Sequence, residues 1–231
     1  MTSARLAVIP ARGGSKRVPR KNIRAFCGRP MIEYAIDAAR QSRLFDHIVV
    51  STDDAEIAEV ARRAGAELPF LRPAALADDL TATVAVVAHA IGRCQALGWT
   101  VDAVCCIYPG VPLLSPWTLA EGWTLLEAGN ANYVFPVLAF ESPIQRALVR
   151  DADGQTRPVF PEYAQTRTQD LPHAYHDAGQ FYWGATTAWL DGLSLHANAR
   201  TLVMPADSVV DIDTDADWLR AEARYLARNR R

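Results

Sequence analysis

The chain has little cysteine, no long apolar run and almost no net charge. Its four cysteines form no C-x-x-C pair, so buried free thiols are expected rather than a zinc or redox site. No apolar run approaches the roughly 18 residues that would cross a membrane, and the run before Arg12 is too short for a signal peptide. The net charge of −2 provides no global field for nucleic acid or a membrane surface. We therefore expect a cytoplasmic protein without nucleic-acid or membrane partners.

Two common nucleotide-binding motifs are also missing. The sequence contains neither the G-x-x-x-x-G-K-[ST] of a P-loop nor the G-x-G-x-x-G of a dinucleotide-binding fold. The second absence counts against a nicotinamide oxidoreductase. Any nucleotide that this chain binds must be held by a different loop.

Such a loop follows the first apolar run, residues 6–11. It contains Gly13 and Gly14, whose backbone N–H groups can approach an anion closely. In open α/β sheets, ligands bind at the carboxyl ends of the strands, where this loop should lie. The sequence therefore predicts a polyphosphate site here, with Ser15 beside the glycines. The loop has no acidic residue and six basic ones, which are Arg12, Lys16, Arg17, Arg20, Lys21 and Arg24.

Strand-like and helix-like segments alternate through the first two-thirds of the chain. This order predicts an α/β fold in which helices flank a mostly parallel sheet. The 231 residues suit one large domain. The predicted strands are 6–11, 47–51, 103–108 and 133–137, and the predicted helices are 31–42, 55–64, 83–97 and 116–128.

The pattern changes after about residue 138. Residues 141–171 are polar, interrupted by proline and without helical periodicity. We interpret about 139–175 as an insertion that leaves the core, with a hairpin through Asp153-Gly154, because long excursions from compact domains usually serve function or an interface. The sheet should resume at 178–185, and a last helix should span 215–227 with Thr214 as its N-cap.

Two carboxylates stand close together at 211 and 213. If this segment is extended, Asp211 and Asp213 point to one face while Ile212 packs inward. Mg²⁺ favours such a pair and completes its octahedron with water and phosphate oxygens. The alternative is helix capping by acids, which suits Asp215 and Asp217 better than Asp211. Combined with a basic phosphate loop, the pair indicates metal-assisted phosphoryl or nucleotidyl transfer.

Three segments resemble the signature segments of the CMP-sialic acid synthetases, in the same order and at the same spacing. They are IPARGGSKRVPRKNI (9–23), FLRP (70–73) and VDID (210–213). Within that family, YHDAGQFYWG (175–184) and CCIYP (105–109) most resemble the branch that activates pseudaminic acid. One departure is Gly110-Val111, where the family usually has a hydroxyl residue and a small residue before the proline.

The resemblance implies a reaction, a fold and site residues. CTP and a nonulosonic acid would give a CMP-sugar and pyrophosphate, in a Rossmann-like nucleotidyltransferase core. A homodimer is implied, whose protruding segment reaches the partner's active site. Arg12 and Lys21 would hold the triphosphate, Asn22 would contact the nucleotide, Arg72 would help to recognise cytosine, and Asp211 with Asp213 would bind Mg²⁺. From the residues alone, Arg72 is a surface arginine before a proline.

The sugar acid carries a carboxylate beside its anomeric carbon, so its pocket should contain a cation. Arg167 is our candidate, because guanidinium pairs with carboxylate in bidentate geometry. Gln180 and Tyr182 share one face of a predicted strand, and Tyr108 ends another, so all three are sugar-binding candidates. Phe181 and Trp183 are expected in the core.

In the predicted mechanism the sugar hydroxyl attacks the α-phosphorus of CTP. Lys21 neutralises charge there, Arg12 and Lys16 stabilise the leaving pyrophosphate, and Asp211 or a metal-bound hydroxide takes the proton. Two alternatives stay open. The acceptor could be N-acetylneuraminic or legionaminic acid, or the chain could be a non-catalytic nucleotide-binding regulator.

Overall fold

The computed structural model describes residues 4–229, in which strands and helices alternate as the sequence predicts. The strands are β1 (Arg5–Pro10), β2 (Ala25–Phe26), β3 (Arg29–Pro30), β4 (His47–Ser51), β5 (Ala103–Ile107), β6 (Tyr133–Ala139), β7 (Leu148–Arg150), β8 (Thr156–Pro158), β9 (Tyr175–Asp177), β10 (Phe181–Ala185) and β11 (Ala199–Val203). The helices are α1 (Met31–Ser42), α2 (Ala55–Arg63), α3 (Thr83–Ala96), α4 (Pro116–Glu127), α5 (Thr186–Leu190) and α6 (Asp215–Asn229).

One mixed sheet organises the fold, in the strand order β11-β6-β10-β5-β1-β4. Strand β10 is antiparallel to both of its neighbours, and β9 pairs antiparallel with the end of β6. The other five strands run in one direction. The predicted mostly parallel α/β fold is confirmed.

Side chains alternate across the sheet and fill a core on each face. In β1, Ala7 and Ile9 pack with helices α1, α2 and α4. Leu6 and Val8 point to the opposite face, where α3 and α5 cover them. This alternation follows from the period of two in a strand. Helices thus cover both faces of the sheet, and the candidate site lies at the carboxyl ends of β1 and β5.

A third, smaller core brings the end of the chain to the basic loop. Val18 of the loop packs with Ile212 and Trp218 in this cluster, and all three are buried. Helix α6 starts at a capping box, since Asp217 N donates to Thr214 Oγ1 (3.2 Å) and Asp217 Oδ2 accepts from Thr214 N (2.8 Å). The predicted N-cap at Thr214 is confirmed.

The excursion after β6 contains the predicted hairpin. Strands β7 and β8 pair antiparallel, and Gly154 between them adopts a positive φ of 86°, which glycine tolerates best. The chain rejoins the sheet through β9. Leu148, Val149 and Val159 lie exposed on or next to this hairpin. They give the excursion an apolar outer surface.

The predicted helices and main strands match the structure within a residue or two at most ends, although the strand expected at 178–185 begins only at Phe181. Strands β9 and β11 were not predicted; they are short strands with exposed positions on either side of β6. The two-residue strands β2 and β3 were not predicted either. Within residues 4–229, no helix is both long and apolar enough to cross a membrane.

Candidate active site

The basic loop follows β1 and lines a cleft of about 180 Å³. Gly13 is required where the loop leaves the strand, because a Cβ there would lie 2.7 Å from Asp54 Oδ2. Its N–H donates to Asp53 Oδ1 over 3.0 Å. We name this cavity the phosphate cleft. Its lining residues are Pro10, Arg12, Ser15, Lys16, Arg17, Val18, Lys21, Asn22, Pro109 and Asp213.

Most cations of the loop are paired with acids from distant parts of the chain. Arg12 contacts Asp79 Oδ1 at 2.6 Å, and Lys16 contacts the other oxygen of the same carboxylate. These two hydrogen bonds lower the pKa of Asp79. The remaining pairs are Arg17 with Asp213 (2.7 Å), Arg20 with Asp54 (2.5 Å) and Glu56, and Arg24 with Asp215 (2.5 Å).

Lys21 lies between the loop and the acidic segment. Its Nζ donates to Ile212 O over 2.7 Å and is 3.9 Å from Asp213 Oδ1. Burial lowers the pKa of Lys21, while Asp213 and Asp211 oppose that shift. The ammonium group is therefore held in a fixed position by the backbone of the acidic segment.

Asn22 and Arg72 are buried beside the cleft. Asn22 Nδ2 donates to Arg12 O (2.9 Å), and its Oδ1 has no hydrogen-bond partner in residues 4–229. Arg72 is only 6% exposed and bonds to Ser51 through Nε (3.1 Å) and Nη2. The expectation of a surface arginine was wrong, because the segment after α2 packs Arg72 against the end of β4. Burial lowers the Arg72 pKa.

The acidic segment has the predicted alternation. Ile212 is 1% exposed, Asp213 faces the phosphate cleft, and Asp211 faces a neighbouring cleft. Desolvation and the Asp213 carboxylate raise the Asp211 pKa. The capping explanation holds for Asp217, and Asp215 lies in the first turn of α6, where it also pairs with Arg24.

The neighbouring cavity, of about 420 Å³, is named the second cleft. Tyr182 is buried in its wall, and its hydroxyl donates to Asp177 Oδ2 over 2.8 Å. Asp211 lines this cleft and Asp213 lines the phosphate cleft, so the two clefts meet at residues 211–213. The lining residues of the second cleft are Leu138, His176, Asp177, Ala178, Gly179, Tyr182, Val209 and Asp211.

Tyr108 and Gln180 are two further residues that were predicted to bind the sugar. Tyr108 packs against Tyr182 with ring centroids 5.5 Å apart, and its hydroxyl is 3.0 Å from Thr83 Oγ1. Burial raises the Tyr108 pKa. Gln180 is 3% exposed, and its backbone carbonyl accepts from Tyr108 N over 2.9 Å. Phe181 and Trp183 are core residues, as expected.

Arg167 is not brought together with these residues within the described chain. Its side chain is 74% exposed and pairs with Asp170 at 2.7 Å, on the excursion after β6. The phosphate cleft and the second cleft are both lined without it. Its predicted role as a carboxylate clamp stays a prediction.

The structure also brings in residues that the sequence analysis did not assign. Asp79 bridges Arg12 and Lys16, and Asp177 accepts hydrogen bonds from Tyr182 and from His196 Nε2 (3.0 Å). The pair Asp78-Asp79 could have been noticed as an acidic counterpart to the loop. His196 had no such signal, because it is an isolated histidine in a connecting segment.

Residues 6–205 match the family model described as cytidylyltransferase. The chain belongs to this family. The phosphate cleft of this cytidylyltransferase is built on the same segment, 9–23, that carried the resemblance in the sequence. Curated relatives extend the similarity over nearly the whole length of the chain.

A pseudaminic acid cytidylyltransferase of Campylobacter jejuni is 42% identical over 221 residues, which cover 95% of each chain. A CMP-N,N'-diacetyllegionaminic acid synthase of Legionella pneumophila is 33% identical and covers 94% of each chain. The predicted family resemblance is therefore confirmed. Among solved structures, a CMP:2-keto-3-deoxy-manno-octonic acid synthetase complexed with CTP aligns with a TM-score of 0.73 and 17% identity over 98% of this chain and 100% of that one, which supports the fold.

Proposed function

We propose that this cytidylyltransferase transfers CMP from CTP to pseudaminic acid and releases pyrophosphate. The similarity to pseudaminic acid cytidylyltransferases, at 42% identity over 95% of the chain, carries the choice of substrate. The geometry supports the reaction class, because a cation-lined phosphate cleft and a second cleft meet at Asp211 and Asp213. The triphosphate occupies the first cleft and the sugar acid the second.

Each reacting group has a residue positioned for it. Lys21, fixed by Ile212 O, neutralises charge on the α-phosphoryl group. Arg12 and Lys16 both pair with the Asp79 carboxylate, and in the reaction they hold the departing pyrophosphate. Asp211 accepts the proton of the attacking hydroxyl, and desolvation together with the Asp213 carboxylate raises its pKa.

The acid pair also suits Mg²⁺. No group of three or more metal-ligating side chains occurs in the described part of the chain, but Mg²⁺ is commonly held by one or two carboxylates and by phosphates and water. The mutual repulsion of Asp211 and Asp213 is consistent with such a site. When bound, Mg²⁺ would supply charge neutralisation to the phosphates.

Pyrophosphate release tests this function directly. The enzyme is incubated with CTP and Mg²⁺ and, in parallel, pseudaminic, legionaminic or N-acetylneuraminic acid, and the CMP adduct is identified by mass. Turnover confined to pseudaminic acid is expected. Preferred turnover of another acid would confirm the cytidylyl transfer reaction but change the assigned sugar substrate. CTP binding without turnover of any acid would support the alternative of a non-catalytic nucleotide-binding regulator.

We further propose a homodimer in which the excursion of one chain completes the second cleft of its partner. Arg167 is exposed and lies away from both clefts of its own chain. Exposed Leu148, Val149 and Val159 provide apolar surface on the same excursion. Arg167 would then supply the cation for the sugar carboxylate across the interface.

Mixing two inactive variants tests this arrangement. Lys21→Met and Arg167→Ala homodimers are each impaired, but subunit exchange yields heterodimers with one intact composite site. About a quarter of wild-type activity should return in an equal mixture of two-fold symmetric dimers. Mixing Lys21→Met with Asp211→Asn is the control, because both changes affect the core of each site. No recovery in the first mixture, despite exchange, would contradict a shared site.

A further inference from the structure

Asp177 occupies a defined position in the second cleft. It ends β9, its side chain is 26% exposed, and it lines the same cavity as Asp211 and Tyr182. Asp177 has no role in the reaction proposed for this enzyme. It is an acid placed where an acceptor molecule would lie.

The carboxylate of Asp177 is held by three donors. Gly179 N donates to Oδ1 over 2.8 Å. The Tyr182 hydroxyl (2.8 Å) and His196 Nε2 (3.0 Å) both donate to Oδ2. A carboxylate offers about four acceptor positions, two on each oxygen. Oδ2 is therefore saturated, and Oδ1 retains one acceptor position for a ligand.

The charge of the cleft restricts which part of a ligand can face Asp177. Asp177 and Asp211 both line it, and no lysine or arginine is among its lining residues. A sugar carboxylate would be repelled there by like charge. Hydroxyl and acylamino N–H groups, which are neutral donors, match a carboxylate with a free acceptor position.

We infer that Asp177 is a specificity-determining residue for the acceptor sugar. Its Oδ1 accepts a hydrogen bond from a hydroxyl or acylamino N–H of the bound sugar, and this turns the sugar carboxylate away from the cleft wall. Tyr182 and His196 fix the carboxylate in place. The inference rests on the proposed function, since it assumes that a nonulosonic acid occupies the second cleft.

Steady-state kinetics of Asp177→Asn tests the inference. Asparagine keeps the shape but loses the charge and one acceptor oxygen, so the KM for pseudaminic acid should rise about ten-fold, the effect of one charge-assisted hydrogen bond. The KM for CTP and the thermal shift caused by CTP should stay within two-fold of wild type. The preference for pseudaminic over N-acetylneuraminic acid, measured as a ratio of kcat/KM, should change as well.

His196→Ala provides a graded second variant. It frees one acceptor position on Oδ2 without removing the charge of Asp177, so the KM for the sugar should change less than in Asp177→Asn. Asp207→Asn, at an exposed acid outside both clefts, is the matched control and should behave as wild type.

The outcomes separate this inference from the proposed function. A change in the KM for the sugar without a change in the KM for CTP supports the role of Asp177 in specificity. Equal changes in both KM values, or a lower melting temperature with both KM values unchanged, would assign Asp177 a structural role and overturn it. If wild type itself turns over no sugar acid, the proposed function fails first.

Discussion

The two clefts are built in opposite ways. The phosphate cleft draws its cations from one continuous loop, and acids from elsewhere in the chain neutralise them before any ligand binds. The second cleft draws its carboxylates from separate elements, and hydroxyl, imidazole and backbone donors hold Asp177 there. In the proposed function, the first site exchanges internal anions for phosphates, whereas the second offers acceptor positions to a neutral part of its ligand.

Among these substitutions, replacement of Lys21 in the phosphate cleft should reduce the activity most. Lys21→Met removes the ammonium group fixed between Ile212 O and Asp213, so kcat should fall by about 10²–10³, as for a lost donor to developing charge. The measurement is pyrophosphate release at saturating CTP. Lys16→Met is the matched variant, because Lys16 is 79% exposed and should mainly raise the KM for CTP. Similar small effects of both changes would remove Lys21 from the reaction.

Asp211→Asn should separate activity from stability at the boundary between the clefts. Loss of the proposed base should lower kcat by about 10²-fold. Because the folded-state pKa of Asp211 is raised, the ionised carboxylate destabilises the fold at neutral pH, and Asn should raise the melting temperature there.

The stability gain should depend on pH in one direction. A raised carboxyl pKa contributes stability below the ordinary value and loses it as pH rises through the folded-state pKa. The gain of Asp211→Asn should therefore be largest above the folded-state pKa and shrink as the pH falls toward the ordinary carboxyl pKa of 3.8. Thermal unfolding at several pH values measures it. A gain that grows at acidic pH would contradict the assigned shift.

Gly13→Ala should destabilise the protein at the phosphate cleft and leave the second cleft unchanged. The new Cβ would meet Asp54 Oδ2 at 2.7 Å. Asp54 cannot yield easily, because it caps α2 through Glu56 N and Ile57 N and pairs with Arg20. We expect about 1–3 kcal/mol lower free energy of unfolding, measured in urea. Gly14→Ala has open space around its Cβ and serves as the stability control; an equal loss there would point to a general backbone effect.

Asp79→Asn should produce the smallest change, in the favourable direction for ligand binding. The Asp79 carboxylate bridges Arg12 and Lys16, so a phosphate must displace it. Its neutralisation should tighten pyrophosphate binding by about two- to five-fold, because exposed ion pairs are weak. Calorimetric titration with inorganic pyrophosphate measures this, with Glu127→Gln as an exposed-acid control. Weaker binding would instead show that Asp79 organises the cations.

Much of the fold was predictable because its signals are local. The period of two in β1 and the capping residue Thr214 act over a few neighbouring residues. The hairpin at Gly154 could be predicted from a local signal in the same way. Strands β9 and β11 were missed because three to five partly exposed residues become a strand only when β6 provides the hydrogen bonds.

The chemical groups of the phosphate cleft could be predicted from the sequence, because the basic residues from Arg12 to Arg24 lie in one continuous loop and Asp211 and Asp213 alternate around Ile212. The family could also be predicted from the sequence. Three features depend on the packing of distant segments: the burial of Arg72, the pairing of Asp79 with Arg12 and Lys16, and the hydrogen-bonded group of Asp177, Tyr182 and His196. These contacts join residues from separate elements, and sequence patterns do not encode such distances because packing of the sheet and its helices creates them.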